Sequence, residues 1–338
     1  MKFNNILLVF FSVFVLFTVG FGLDFYHFVH TPLLIKEGGY VLAFPSGGSA
    51  QTLAKQLAAD GVLKSPVHFI VWIRLQGSWR QLKAGEYFVK PNTTPRELIE
   101  QLKSGKVIQH ALTIVPGWNF TRLMSEIEQS PHLRHSLTGL SASEIMARIG
   151  HPGEHPEGRF FAETYYFPAG TTDVRFLQRA YQLMQATLTN LWQNRTTPLP
   201  LHSEYEALIL ASIIEKESGI PGEYGDIAGV YIRRLQQKMP LQADPTVIYG
   251  VGDRFNGQLT QQMLLEKTPY NTYQQVGLPP TPIAFPSHGA LLAALHPTEG
   301  DALYFVADPK GKGHIFSKTL LEHHLAVKEY RKAAGGKP

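Results

Sequence analysis

Near the middle of the chain one short stretch has the residue types and spacing for acid–base chemistry. Ser203-Glu204-Tyr205-Glu206 reads as a capping box, and no breaker interrupts Ala207 to Ser218 before Gly219. The helix this predicts is apolar nearly all round (Ala207, Leu208, Ile209, Leu210, Ala211, Ile213, Ile214), which places it inside a domain. Yet its end carries Glu215, Lys216 and Glu217. At about 100° per residue, Glu217 points between Leu210 and Ile213, within the densest apolar arc. Glu215 points beside Leu208, nearer Ser212 and Lys216. The two glutamates therefore have different surroundings. Burial and the negative end of the helix dipole both disfavour the Glu217 anion and raise its pKa. A carboxyl kept protonated near neutrality can act as a general acid toward a leaving oxygen such as that of a glycosidic bond. The competing reading is a structural ion pair or a solvent-facing helix end.

Composition narrows the chemistry further. The 338 residues are 44% hydrophobic and 17% charged, an ordinary globular balance that excludes a disordered chain or a fibrous repeat. The net charge of +4 is small and dispersed, apart from a short basic tail (Lys328, Arg331, Lys332, Lys337), so no nucleic-acid partner is expected. Cysteine is absent, which excludes disulfides, thiolate zinc sites, iron–sulfur clusters and cysteine nucleophiles, and suits an oxidising compartment. Several of the 14 histidines cluster at His132, His135, His151 and His155, but none has a metal-ligand spacing on a helix. No metal or cofactor is expected. Neither a P-loop, a dinucleotide fingerprint nor a G-x-S-x-G elbow is present.

The elements that must position the glutamate follow from the hydrophobic pattern. Ile6 to Leu23 is uncharged and rich in aromatics, and with Phe3, Asn4 and Asn5 reaches the roughly 20 residues that cross a bilayer. Lys2 precedes the run and Asp24 closes it, which leaves the short end in the cytoplasm. A cleaved signal peptide is the alternative, but Gly20-Phe21-Gly22-Leu23 lacks an A-x-A-like site. Residues 1–25 are thus read as a transmembrane anchor and 26–39 as a stalk. A strand–turn–helix pattern then recurs three times: Tyr40–Phe44 with a helix from Ser49, Glu86–Val89 with a helix capped by Thr94, and Leu112–Val115 with a helix over Leu123–Ile127. Val67–Leu75 is apolar enough for one more helix. This predicts a small α+β module over 40–130, followed by a loose, Pro- and Gly-containing linker region at 131–156. A larger mixed α+β domain fills 157–332, with the acidic helix buried in it, and 333–338 is a tail.

Longer blocks carry a resemblance. LILASIIEKES (208–218), VYIRRLQQKMPLQADPTVIYG (230–250), PYNTYQQVGLPPTPIAFPS (269–287) and AALHPTEGDALYFVADPKGKGHIFS (293–317) follow one another, with EGRFFAETYYFPAGTT (157–172) upstream. In that order they resemble the YceG-like family of membrane-anchored endolytic murein transglycosylases. The first two strand–turn–helix copies resemble the LysM-like subdomain that accompanies certain murein enzymes, a glycan-binding module or else a rigid spacer.

The resemblance implies that Glu217 is the sole catalytic acid/base and that Ser218 positions it. It implies substrate contacts from Gln242, Asp244 and Thr246, which alternate as on one strand or loop face with Pro245 fixing the turn. It implies the same for Asn271 and Tyr273, while for Asp244 and Asn271 loop-capping hydrogen bonds are the rival role. The chain departs from the family pattern at Tyr224, Arg233 and Phe285, and at Phe161-Ala162-Glu163-Thr164-Tyr165, all away from Glu217. The implied activity is cleavage of the bond between N-acetylmuramic acid and N-acetylglucosamine in peptidoglycan glycan strands, leaving 1,6-anhydro ends. The enzyme would sit in a bacterial inner membrane with its catalytic domain in the periplasm, near penicillin-binding synthases, and would terminate glycan elongation. The alternatives are a hydrolase using Glu217 with Asp244, and a catalytically silent scaffold that binds glycan.

Overall fold

The computed structural model describes residues 2–333 except Lys312, and side chains from Leu8 onward. The proposed tail, including Lys337, therefore lies almost entirely outside the described residues. The chain divides into two compact units, one formed by 1–110 with 166–170, the other by 111–165 with 171–338.

The first unit opens with α1 (Lys2–His30), whose Leu8–His30 portion is long and apolar enough to cross a membrane and has its apolar window unburied. The helix runs past Asp24, and the stretch read as a stalk is packed rather than free. Val29 and Leu33 are buried, Asp24 pairs with His68 at 3.1 Å, and the Phe25 and Trp72 rings lie 5.8 Å apart. The apolar residues beyond Asp24 continue the helix because they have a core to enter. β1 (Tyr40–Phe44) leads into α2 (Ala50–Ala59), capped by the Ser49 side chain, and α3 (Pro66–Leu75). β2 (Gly85–Val89) returns antiparallel to β1, with Tyr40 opposite Val89 and Phe44 opposite Gly85. α4 (Pro95–Ser104) starts with a Thr94–Glu97 capping box. Leu42, Leu53, Leu57, Phe69, Ile73, Tyr87, Leu98 and Leu102 form this unit's core. β3 (Gln109–Thr113) falls three residues earlier than the pattern of Leu112–Val115 suggests.

The second unit begins with α5 (Phe120–Gln129), β4 (Leu133–Arg134) and α6 (Ala142–Ile149). Residues 131–156, expected as a linker region, thus hold a strand and a helix with its own Ser141–Glu144 capping box. The segment is tied down by Asp173, buried and accepting hydrogen bonds from the amides of Ser136 (2.6 Å) and Leu137 (2.9 Å). Those bonds hold the Asp173 pKa below the usual value, against the opposing effect of burial. β5 (Thr164–Pro168) precedes β6 (Thr171–Thr172), which pairs in parallel with β4, and α7 (Asp173–Gln193).

α8 (Glu204–Glu217) is buried at every position from Ala207 to Ile214 and lies among α7, α9 (Tyr224–Gln236), α10 (Asp244–Val251) and α12 (His288–Leu295). α11 (Gln261–Leu265) lies between the last two in sequence. The antiparallel hairpin β7 (Tyr304–Ala307) and β8 (His314–Ser317), with α13 (Leu320–Ala333), ends the described chain. Among the described residues the strands pair in twos, β1–β2, β3–β5, β4–β6 and β7–β8, and with the helices they make a mixed α+β fold.

Candidate active site

Glu217 is the last residue of α8, and Ser218 turns the chain into an extended conformation. The carboxyl reaches a cleft of about 370 Å³ that α9, the Leu241–Asp244 segment, Tyr273 and the β7–β8 hairpin enclose. Its Oε1 accepts a 2.5 Å hydrogen bond from the hydroxyl of Tyr231, which is 1% exposed. The other carboxyl oxygen has no hydrogen-bond partner among the described residues. Burial pushes the Glu217 pKa from 4.5 up to about 7, and the negative charge of Asp244 adds to the rise; Tyr231 and Arg234 oppose it. The side chain therefore holds a proton near neutrality at the edge of a polar cleft.

Arg234 builds the wall beside it. Tyr231 and Arg234 are three residues apart and so share one face of α9. The buried guanidinium donates to the carbonyls of Leu303 (2.7 Å), Pro240 (3.1 Å) and Leu241 (2.9 Å) and to Gln242 Oε1 (3.2 Å). One side chain thus ties the approach to α10 to the approach to β7. Gln242 has a positive φ of 53°, a conformation uncommon outside glycine, and its amide donates to Thr272 O at 3.0 Å. Asp244 sits at the start of α10, where Tyr273 donates its hydroxyl to Oδ1 at 2.6 Å. Gln242, Asp244 and Tyr273 all line the cleft with Glu217.

Three of the expected site residues are elsewhere. Thr246 is buried within α10, donating to Ala243 O (2.7 Å) and paired with the Thr272 hydroxyl (2.9 Å). The residues after Ala243 are helical, so the strand-like alternation of Gln242, Asp244 and Thr246 breaks at its last member. Asn271 is fully buried, donating to the carbonyls of Met263, Leu264 and Glu266 and accepting from the Tyr273 amide at 3.0 Å. Its amide group is thus engaged in loop-capping hydrogen bonds. Ser218 donates to Glu223 Oε2 at 3.1 Å and accepts from the Ile220 amide at 3.0 Å, so its hydroxyl organises the turn after α8. Glu215 is spoken for as well: it accepts from the Ser287 amide (2.9 Å) and hydroxyl (2.5 Å) at the N-terminus of α12, and from Tyr224 (3.3 Å).

The sequence reading missed Tyr231, Arg234, Glu223 and His314. For the first pair the signal was present, a Tyr-x-x-Arg spacing that follows the apolar run Ile227–Val230 of α9. The second pair joins residues 91 apart in sequence. Glu223 Oε1 accepts from the His314 amide and Oε2 meets His314 Nδ1, each at 2.7 Å. The bonds to His314 hold the Glu223 carboxyl below its usual pKa although burial alone would raise it. His314 also lines the cleft, so this clasp fixes the hairpin as the cleft wall behind Glu217.

A protonated carboxyl in a polar cleft, braced by a buried tyrosine and a guanidinium and facing a second carboxylate, can serve a protein of the acid–base class. The sequence matches the YceG-like family over residues 42–329, and the chain belongs to that family. It is 29% identical over 310 residues to an endolytic murein transglycosylase of Bacillus subtilis (strain 168), spanning 85% of this chain and 83% of that protein. An endolytic murein transglycosylase of Streptococcus pneumoniae (strain D39) is 26% identical over 336 residues, covering 88% of this chain and 60% of that relative. The fold is similar to the crystal structure of a YceG-like protein from Listeria monocytogenes, with a TM-score of 0.53 and 26% identity over 86% of this chain and 99% of that one.

Proposed function

We propose that this chain is an endolytic peptidoglycan lytic transglycosylase in which Glu217 is the one acid/base. The observation that carries the reading is the Glu217 carboxyl itself, held protonated up to about pH 7 in the cleft while Tyr231 occupies only one of its oxygens. In the first step Glu217 gives its proton to the glycosidic oxygen as the bond to the anomeric carbon breaks. The resulting carboxylate then takes the proton of the muramyl 6-hydroxyl, whose oxygen closes on the anomeric carbon to give the 1,6-anhydro end. The nucleophile belongs to the substrate, so one carboxyl suffices where ordinary glycosidases need two. Gln242, Asp244 and Tyr273, which line the same cleft, contact sugar. Arg234 and the Glu223–His314 clasp are positioning groups.

In this reading α1 anchors the enzyme in a bacterial inner membrane with the chain beyond it in the periplasm, and the β1–β2 region is the LysM-like glycan module. Cleavage then ends strands that synthases are extending. The presence of Asp244 in the same cleft favours one second reading, a two-carboxylate hydrolase. Mass analysis of products from purified strands separates the two: anhydro termini are expected, and reducing termini would establish hydrolysis. A Glu217→Gln chain that still releases anhydro ends would remove Glu217 from the chemistry.

A further inference from the structure

The reaction cleft has a neighbour more than twice its volume. A second cleft of about 860 Å³ is lined by the α10 face that carries Pro245, Ile248 and Tyr249 and by the loop before α5. Two pairs of consecutive residues divide between the clefts. Glu217 and Asp244 line the first, Lys216 and Pro245 the second. The two clefts therefore lie on different sides of the end of α8 and the start of α10.

Its walls are partly aromatic, and one of the rings is fixed in place. Trp118, Tyr249 and Phe255 are half-buried and line it. Tyr249 donates its hydroxyl to Glu157 Oε2 at 3.0 Å, and Glu157, 3% exposed, accepts from the Phe120 amide on its other oxygen at 3.0 Å. The Tyr249 ring is thus held by a buried carboxyl and needs no rearrangement to receive a ligand. The ionisable groups of the lining offset one another, Lys216 and Arg122 against Asp253 and Glu157, and Arg122 is also paired with Glu126 outside it. A site without net field does not select polyanions. Ring faces edged by hydroxyl and amide hydrogen-bonding groups suit amphipathic ligands with apolar faces and polar rims, which is the chemistry of sugar rings.

We propose that this second cleft is a saccharide-binding site that holds units of the same glycan strand lying beyond those in the reaction cleft. The inference rests on the lytic reading of Glu217, and its test is separable from that reading. The full-length chain in detergent is assayed on purified murein strands. Trp118→Ala is expected to raise KM about tenfold with kcat within about twofold of wild type, and Phe255→Ala to move in the same direction; tenfold corresponds to about 1.4 kcal/mol. In a Glu217→Gln background, a β-1,4-linked N-acetylglucosamine octamer should lose about tenfold in affinity when Trp118→Ala is added. Both side chains are partly exposed, and Phe255→Ala carries the test should Trp118→Ala fail to fold. Wild-type KM and octamer affinity in the folded variants would overturn the proposal. So would binding of a sugar-free stem peptide that Trp118→Ala abolishes and the octamer does not compete with, which would make the cleft an acidic-peptide site. Activity persisting in Glu217→Gln alone would instead sink the catalytic reading and leave the octamer measurement to judge the cleft.

Discussion

Glu217 and Glu215 stand two residues apart on one helix and face opposite chemical fates. Glu215 is consumed by Ser287 and Tyr224, whereas Glu217 keeps one oxygen for a ligand and titrates near 7. Activity should fall on the alkaline side with a midpoint about 7, as the proton needed for the first step is lost. A pH profile of kcat/KM checks this, and a limb near the ordinary glutamate value would contradict it. Stability should follow the same proton. The folded chain raises this pKa, so the favourable contribution is complete below about 4.5 and disappears as pH rises through about 7. Glu217→Gln should therefore match wild type at pH 4 and exceed it at pH 8, by at most on the order of 3 kcal/mol. Glu157 also titrates near 7, but it is common to both chains and cancels in the comparison. Glu215→Gln should retain substantial activity, because a carboxamide oxygen can still accept from Ser287. The aim of Glu217 was legible because an apolar helix leaves few interpretations for a terminal carboxyl. The fates of Thr246 and Asn271 were not, since a polar residue beside a proline or in a loop serves backbone or substrate equally well until its partners are known.

Among the elements, the hairpin β7–β8 depends most on a single clasp. A Cβ at Gly313 would lie 1.9 Å from Glu223 Oε1, and its φ of 105° is one that other residues avoid. Gly313→Ala should cost about 2 kcal/mol or more and loosen the cleft wall. Faster amide exchange in 304–307 and 314–317, with α8 unchanged, is the expected signature; uniform exchange across the unit would mean that the clasp is not local. Capped helices were the most legible elements: Ser49, Thr94 and Ser203 each mark a start that the structure keeps. The segment 131–156 was not, because its Pro, Gly and His content masked the Ser141–Glu144 cap and because its anchor, Asp173, lies far along the chain. Register was also lost at β3, where Leu112–Val115 offers apolar residues but strand pairing begins earlier.

At the scale of the whole molecule, α1 predicts where the protein is found. Full-length chain should partition with membranes and require detergent, and soluble protein lacking the first two dozen residues would show a cleaved leader instead. The mixed α+β class and the apolar N-terminus were evident from periodicity and composition, because both depend on many residues at once. The assembly of the cleft was not, because it joins α8, α9, the start of α10 and the final hairpin through contacts such as Glu223–His314 that no local pattern encodes. The central claim, that one carboxyl cuts the glycan without water, is tested most directly by digesting purified murein with the intact chain and with Glu217→Gln and weighing the products. The account predicts strands ending in 1,6-anhydro-muramic acid from the wild type and none from the variant. Reducing ends from the wild type, or anhydro ends from the variant, would contradict it.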